Sequence, residues 1–170
     1  MRIRYATLQD IKAITKIYND SIKYSNATYD IDPKTVSERI QWYEQHEDNN
    51  PILVYEDHEK IVGYAGLSPF GSDDGYLYSV NLCIYIDWGA RGEGYGSELM
   101  EAIIDIARAR YDVHTIVSEI TATNEASISL HEKFGFEFRG IVHEVAYKFG
   151  QFHDMCYFQL MVNKAQPSTL

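Results

Sequence analysis

Apolar residues recur with a spacing of two at Ile3 and Tyr5, then with a spacing of three and four at Ile11, Ile14, Ile17 and Tyr18. The first spacing predicts a short strand and the second a helix, with Thr7-Leu8-Gln9-Asp10 as its capped start. Residues 21–32 are polar and aromatic and read as a loop. Thr35-Val36-Ser37-Glu38 is a capping box for a helix that carries Ile40, Trp42 and Tyr43 and ends near His46. Asn49-Asn50-Pro51 then breaks the chain. Residues 52–55 and 61–67 read as strands joined by a polar turn, and residues 68–75 as a loop. A long strand follows over residues 76–86, then a glycine-rich turn, then a helical pattern from Ser97 through Leu99, Ile103, Ile104 and Ala107 to about Tyr111. Residues 113–120 are β-branched and apolar, so a strand. Asn124-Glu125-Ala126-Ser127 opens a short helix that Gly135 stops, and residues 136–147 and 153–162 close the chain as a strand pair around Gly150. The order β-α-α-β-β-β-α-β-α-β-β predicts an α/β (α+β) sandwich with a mixed central sheet flanked by helices. One domain over residues 1–163 is expected, with residues 164–170 as a frayed tail.

Composition narrows the function classes. A chain of 170 residues with 45% hydrophobic positions can bury a core, which excludes disorder. The net charge of −10 speaks against extended nucleic-acid binding and favours a cationic or amine partner. Cys83 and Cys156 lie far apart in apolar surroundings and read as reduced, buried thiols. Met1-Arg2-Ile3-Arg4 leads into a strand-like segment rather than a signal peptide, and no apolar run reaches membrane-spanning length. A soluble cytoplasmic protein without metal is expected.

The most informative stretch is Arg91-Gly92-Glu93-Gly94-Tyr95-Gly96, set between the long strand and a helix start. Glycines let the backbone approach a ligand closely, and the first N–H groups of a helix lack partners inside it. A phosphate or pyrophosphate suits such a turn. A mononucleotide loop would need Lys and Ser/Thr after the last glycine, where Ser97 and Glu98 stand. A dinucleotide fingerprint would need G-x-G-x-x-G near the first strand of a βαβ repeat, and neither is present.

Arg91-x-x-Gly94-x-Gly96 resembles the Q/R-x-x-G-x-G/A signature of the GNAT N-acetyltransferases. Asn124-x-Ala126-Ser127-x-x-Leu130-His131-x-Lys133-x-Gly135-Phe136 is similar to the second block of that family. Ala27-Thr28-Tyr29, Trp42-Tyr43, Tyr85 and Lys148-Phe149-Gly150-Gln151-Phe152-His153-Asp154 resemble landmarks of its phosphinothricin acetyltransferase-like branch. The resemblance covers almost the whole chain. It implies the GNAT acyl-CoA N-acyltransferase fold, with a splayed strand pair and acetyl-CoA as cosubstrate. The strand at Ile84, Tyr85 and Ile86 would part from that over residues 113–120, and the pantetheine arm would lie between them. Backbone N–H groups of Gly92, Glu93, Gly94, Tyr95, Gly96 and Ser97 would hold the pyrophosphate, with Arg91 at its edge. Asn124 and Ser127 complete the implied cofactor set, Asn124 bonding the pantetheine arm or capping its helix.

Acetyl transfer needs a neutral amine and a proton for the leaving thiolate, so a general base helps. The family's strand glutamate falls on Asn81, which can position a water or the amine but is a poor proton acceptor. Glu119, facing the gap, can act through water. His131 stands where many relatives have the tyrosine that protonates the thiolate. The branch's carboxylate-clamping arginines are replaced by Gly71, Asp73 and Leu77, so an amine without a carboxylate is expected as acceptor. Tyr29, Trp42, Phe70, Asp73 and Tyr76 are the expected acceptor-pocket residues. The function implied is an N-acetyltransferase for the primary amine of a small molecule, phosphinothricin- or amino-acid-like or another small amine, with a homodimer as the assembly suggested by analogy. A protein N-terminal acetyltransferase and a non-catalytic CoA-binding regulatory module are the alternatives.

Overall fold

The computed structural model describes residues 2–46 and 50–163. Among these, seven strands form one mixed sheet in the order β1-β2-β3-β4-β5-β7-β6, flanked by four α-helices. The strands are β1 (Arg2–Tyr5), β2 (Ile52–Asp57), β3 (Lys60–Pro69), β4 (Ser79–Ile86), β5 (Thr115–Thr121), β6 (Glu137–Lys148) and β7 (Gln151–Met161). The helices are α1 (Ile11–Tyr24), α2 (Val36–Glu44), α3 (Tyr95–Ala109) and α4 (Glu125–Lys133). Neighbouring strands are antiparallel except β4 and β5, which run parallel.

Two cores sandwich the sheet, and β4 feeds both because its side chains alternate. Val80, Leu82, Ile84 and Ile86 join α3 and the β5 residues Ile116 and Ile120 on one side. Cys83 and Tyr85 join Ile11, Ile14 and Ile17 of α1 and Tyr64 of β3 on the other. The α1 entry is tied to the sheet by Arg4, whose guanidinium donates to both Asp10 oxygens at 2.7 and 2.8 Å. Thr7 adds a backbone N–H to the same carboxylate at 2.8 Å, and these partners, Arg4 foremost, hold Asp10 below its ordinary pKa.

The element order follows the sequence reading, with shifts at the ends. Residues 8–10 form a 3-10 turn before α1, and α1 itself runs on to Tyr24, into the expected loop. The strand expected over residues 76–86 begins only at Ser79, because Asp74–Tyr76 is a 3-10 turn whose Tyr76 ring packs on Phe70. Helix α3 begins at Tyr95 rather than Ser97, capped by Gly94 in the left-handed region. Phe149 and Gly150, at φ 53° and 78°, make a two-residue turn of the kind that matches strand twist, so β7 starts at Gln151. Asn49 and the expected tail over residues 164–170 lie outside the described residues.

Candidate active site

β4 and β5 pair at Ser79 with Thr115, Val80 with Ile116 and Asn81 with Val117. Beyond that, β4 stays with β3 as far as Ile86 opposite Gly63, and β5 stays with β7 as far as Thr121 opposite Met155. The sheet therefore forks after Asn81, and each branch offers an unpaired backbone edge to whatever enters.

The fork opens into a groove of about 580 Å³, walled by Ile84, Tyr85 and Ile86 on one side and Asn124 and Ser127 on the other. Arg91, Gly92, Gly94 and Ser97 line its outer end. Gly92 and Gly94 sit at φ 88° and 90°, which favours glycine, and a Cβ at either would meet no atom within 4 Å. The N–H groups of Ser97 and Glu98 return to the Gly94 carbonyl, at 2.9 and 3.3 Å. Those ahead of them have no intrahelical acceptor and stand at the positive end of the α3 dipole. Tyr95 pins the turn to β2 by donating its hydroxyl to Asp57 at 2.8 Å. Two cations flank it despite the acidic chain: Arg91 over the Trp88 ring at 4.1 Å, and Lys133 donating to Ser97 Oγ at 3.0 Å. An open glycine cradle, free helix N–H groups and flanking cations fit a pyrophosphate. The unpaired branch edges fit an amide-bearing arm.

Asn124 both lines the groove and caps α4, its Oδ1 accepting from Ser127 N at 3.3 Å. At the inner end lies a recess of about 90 Å³ bounded by Cys83, Ser118, Glu119 and His131 among others. Three buried polar atoms without a protein partner stand in or beside this region: Asn81 Oδ1, Ser118 Oγ and His131 Nε2.

Strand alternation sorts these groups onto two sides of the fork. Ser118 shares the face of Ile116 and Ile120 with α4, and so lies on the His131 side. Asn81, in phase with Cys83 and Tyr85, shares the opposite face with Glu119 and Thr121. His131 is buried, and its Nδ1 lies 2.8 Å from the Ser127 carbonyl. Nδ1 therefore carries the proton and Nε2 is a bare acceptor. Burial lowers its pKa, which keeps the ring neutral. Asn81 Nδ2 lies 3.4 Å from the Pro69 carbonyl. Glu119 is exposed opposite Tyr157 of β7, whose phenol is pushed up by burial and then by the neighbouring carboxylate. Burial also pushes the Cys83 thiol up to about 11, which leaves it protonated and a poor nucleophile.

The expected acceptor residues are not all brought together. Tyr29 reaches the Glu119 face, where its hydroxyl lies 2.8 Å from Thr121 Oγ1 and donates to it, and its ring lies 5.8 Å from that of His153. Phe70 and Tyr76 pack on each other at 5.2 Å, with Asp73 exposed beside them. Trp42 sits between α2 and the sheet, against His46 and Tyr64 and beneath the Arg39 guanidinium at 3.6 Å. Sequence reading passed over the Ser25, Asn26 and Ala27 wall of the groove, and Lys148, which reaches that wall from β6. The lysine of the K-x-G landmark was the available signal for it.

The chain matches the Acetyltransferase (GNAT) domain family over residues 3–157. It is 34% identical over 165 residues to the L-methionine sulfoximine/L-methionine sulfone acetyltransferase of Salmonella typhimurium, covering 96% of each chain. Among solved structures it is similar to a ribosomal-protein-alanine N-acetyltransferase from Brucella melitensis, with a TM-score of 0.92, 37% identity and 95% and 99% of the two chains covered. It is also similar to a GNAT superfamily phosphinothricin acetyltransferase from Sinorhizobium meliloti in complex with acetyl-CoA. There the TM-score is 0.93 and the identity 27%, with 99% of this chain and 91% of that one covered.

Proposed function

The chain belongs to the GNAT acetyltransferase family, and from that premise we propose how its site works. It is an N-acetyltransferase that moves the acetyl group of acetyl-CoA directly to a primary amine of a small molecule. The observation that carries this reading is the glycine cradle before α3, which opens into the groove of the forked sheet. Acetyl-CoA supplies an activated thioester.

This chain's residues do the rest. Backbone N–H groups over residues 92–96, helped by Arg91, bind the pyrophosphate; the Ser97 N–H, expected among them, is taken by the Gly94 carbonyl. Ile84, Tyr85 and Ile86 orient the arm along the β4 edge, and Asn124 and Ser127 close the opposite wall. Glu119 takes the amine proton, directly or through a water, because its carboxylate can do what the Asn81 amide cannot. Asn81, whose Oδ1 lacks a partner, orients the amine or that water. On the other side of the fork His131 presents Nε2 as an acceptor, and it can give up a proton there only after taking one up.

The acceptor is a small amine. The loop after β3 carries Asp73 and Asp74 and no arginine, which supports an amine without a carboxylate. Residues 1–163 act as one catalytic unit in this reading, since the sheet runs from β1 to β7. A cytoplasmic site fits two free thiols and the lack, among the described residues, of a helix long and apolar enough to cross a membrane. The outer strand β6 exposes Phe138, Ile141, Val142, Val145 and Tyr147, which supports a homodimer through that edge, checked by sedimentation.

A protein N-terminal acetyltransferase is the second reading, favoured by the likeness to the Brucella melitensis protein. Mass spectrometry of an amine mixture incubated with enzyme and acetyl-CoA separates the two. The mixture contains methionine sulfone, phosphinothricin, polyamines and alanine-initiated peptides. Acetylation of a small amine first supports the reading given; acetylation of peptides alone replaces it.

A further inference from the structure

Lys148 closes β6 and is only 3% exposed, yet no carboxylate pairs with it among the described residues. Its Nζ instead donates to the carbonyls of Ser25 at 2.9 Å and Thr28 at 2.6 Å. A buried ammonium is expensive to keep, so its two acceptors define what it is for. Ser25 is the C-cap of α1, where the helix dipole also favours a cation. Between the two carbonyls lie Asn26 and Ala27, and these two residues span the fork. The Asn26 carbonyl accepts from Thr121 Oγ1 of β5 at 2.6 Å, and Asn26 Nδ2 donates to Thr123 Oγ1 at 2.8 Å. The Ala27 carbonyl accepts from the Tyr85 hydroxyl of β4 at 3.5 Å. The segment over residues 25–28 is thus a strap joining the branches where they no longer bond each other. Ala27 faces both the groove and the inner recess.

We propose that Lys148 is a positioning residue for acetyl transfer: from the β6–β7 turn it holds the strap across the fork, and so fixes where the acyl-bearing arm meets the acceptor face. The turn itself aims the ammonium. Its Phe149 and Gly150 conformations bring the chain back at once, and His153 Nε2 bonds the Lys148 carbonyl at 3.0 Å. Lys148 touches no reacting atom. It acts through Asn26 and Ala27, on the spacing between Tyr85 and Thr121.

This inference rests on the transferase reading, and the experiment keeps the two apart. Lys148→Met and Lys148→Arg are compared with wild type at a temperature where all are folded by circular dichroism. KM for acetyl-CoA, KM for the amine, and the ratio of amine acetylation to acetyl-CoA hydrolysis are measured. For Lys148→Met, a rise in acetyl-CoA KM and a fall in that ratio of about tenfold to a hundredfold are expected, since a misplacement of about 1 Å costs up to about a hundredfold. Lys148→Arg, which keeps charge and donors, recovers part of the loss. A Met variant with a lower melting temperature but unchanged KM values and ratio overturns the proposal. If Lys148→Met does not fold, hydrogen exchange on the wild-type protein decides. Residues 25–28 should gain protection on binding CoA, and unchanged exchange there is the contrary result. A wild-type protein that turns over no amine overturns the transferase reading and this inference with it; turnover with an indifferent Lys148 overturns the inference alone.

Discussion

Asn81 stands opposite Val117 in the last pair that β4 and β5 make, and Glu119 follows two residues along β5 on the same face. The amide at the fork is thus accompanied by a carboxylate on the facing branch. Glu119→Gln keeps the shape and removes the proton acceptor. A fall in kcat of about 10²-fold is expected, with acetyl-CoA KM unchanged, measured by steady-state kinetics. Adding Asn81→Glu to that variant should return most of the rate. A Glu119→Gln enzyme as fast as wild type removes Glu119 from the chemistry.

His131→Asn places an amide nitrogen near the old Nδ1 and so keeps the bond to the Ser127 carbonyl, while deleting Nε2. Melting temperature should change little and kcat should fall by about 10²-fold, the lower end of the range for a lost proton-transfer group. A large loss of stability with normal kcat per folded molecule would make His131 a packing residue.

Gly94→Ala puts a Cβ into the left-handed region at a cost of about 1–2 kcal/mol. It also fills the open side of the cradle. Acetyl-CoA KM should rise about tenfold or more, with amine KM unaffected. Isothermal titration with CoA checks the same loss without turnover.

The Arg4–Asp10 pair sets an acid limit on stability. Arg4, first among its partners, lowers the Asp10 pKa below 3.8 in the fold. The stabilisation is therefore present above 3.8 and is lost as pH falls through the lowered native value. Asp10→Asn should cost about 2 kcal/mol at pH 7 in urea denaturation. The variant should also lack the wild-type loss of stability in that acid window. Parallel pH curves for the two proteins would mean that Asp10 contributes nothing there.

Local signals were legible in the sequence, and long-range ones were less so. The capping box at Thr35 and Glu38 formed as read, because every bond in it lies within four residues. The glycine turn formed for the same reason, although its cap fell on Gly94 rather than nearer Ser97. The fork was expected only through family resemblance, since its position depends on the β4–β5 register and the strands' other partners. Trp42 and Tyr29 look alike in sequence, as aromatic residues in polar surroundings. Only tertiary packing sends one against Arg39 and Tyr64 and the other to Thr121. The Lys148 strap links residues more than a hundred positions apart, which no periodicity reports.

The most direct test of acetyl transfer at the fork is free-thiol release from acetyl-CoA by the purified protein, with and without a primary amine. Release that depends on the amine and matches the acetylated product mole for mole is expected. Tight CoA binding with no amine-dependent thiol release, across small amines and peptides alike, would contradict the transferase and leave a CoA-binding module.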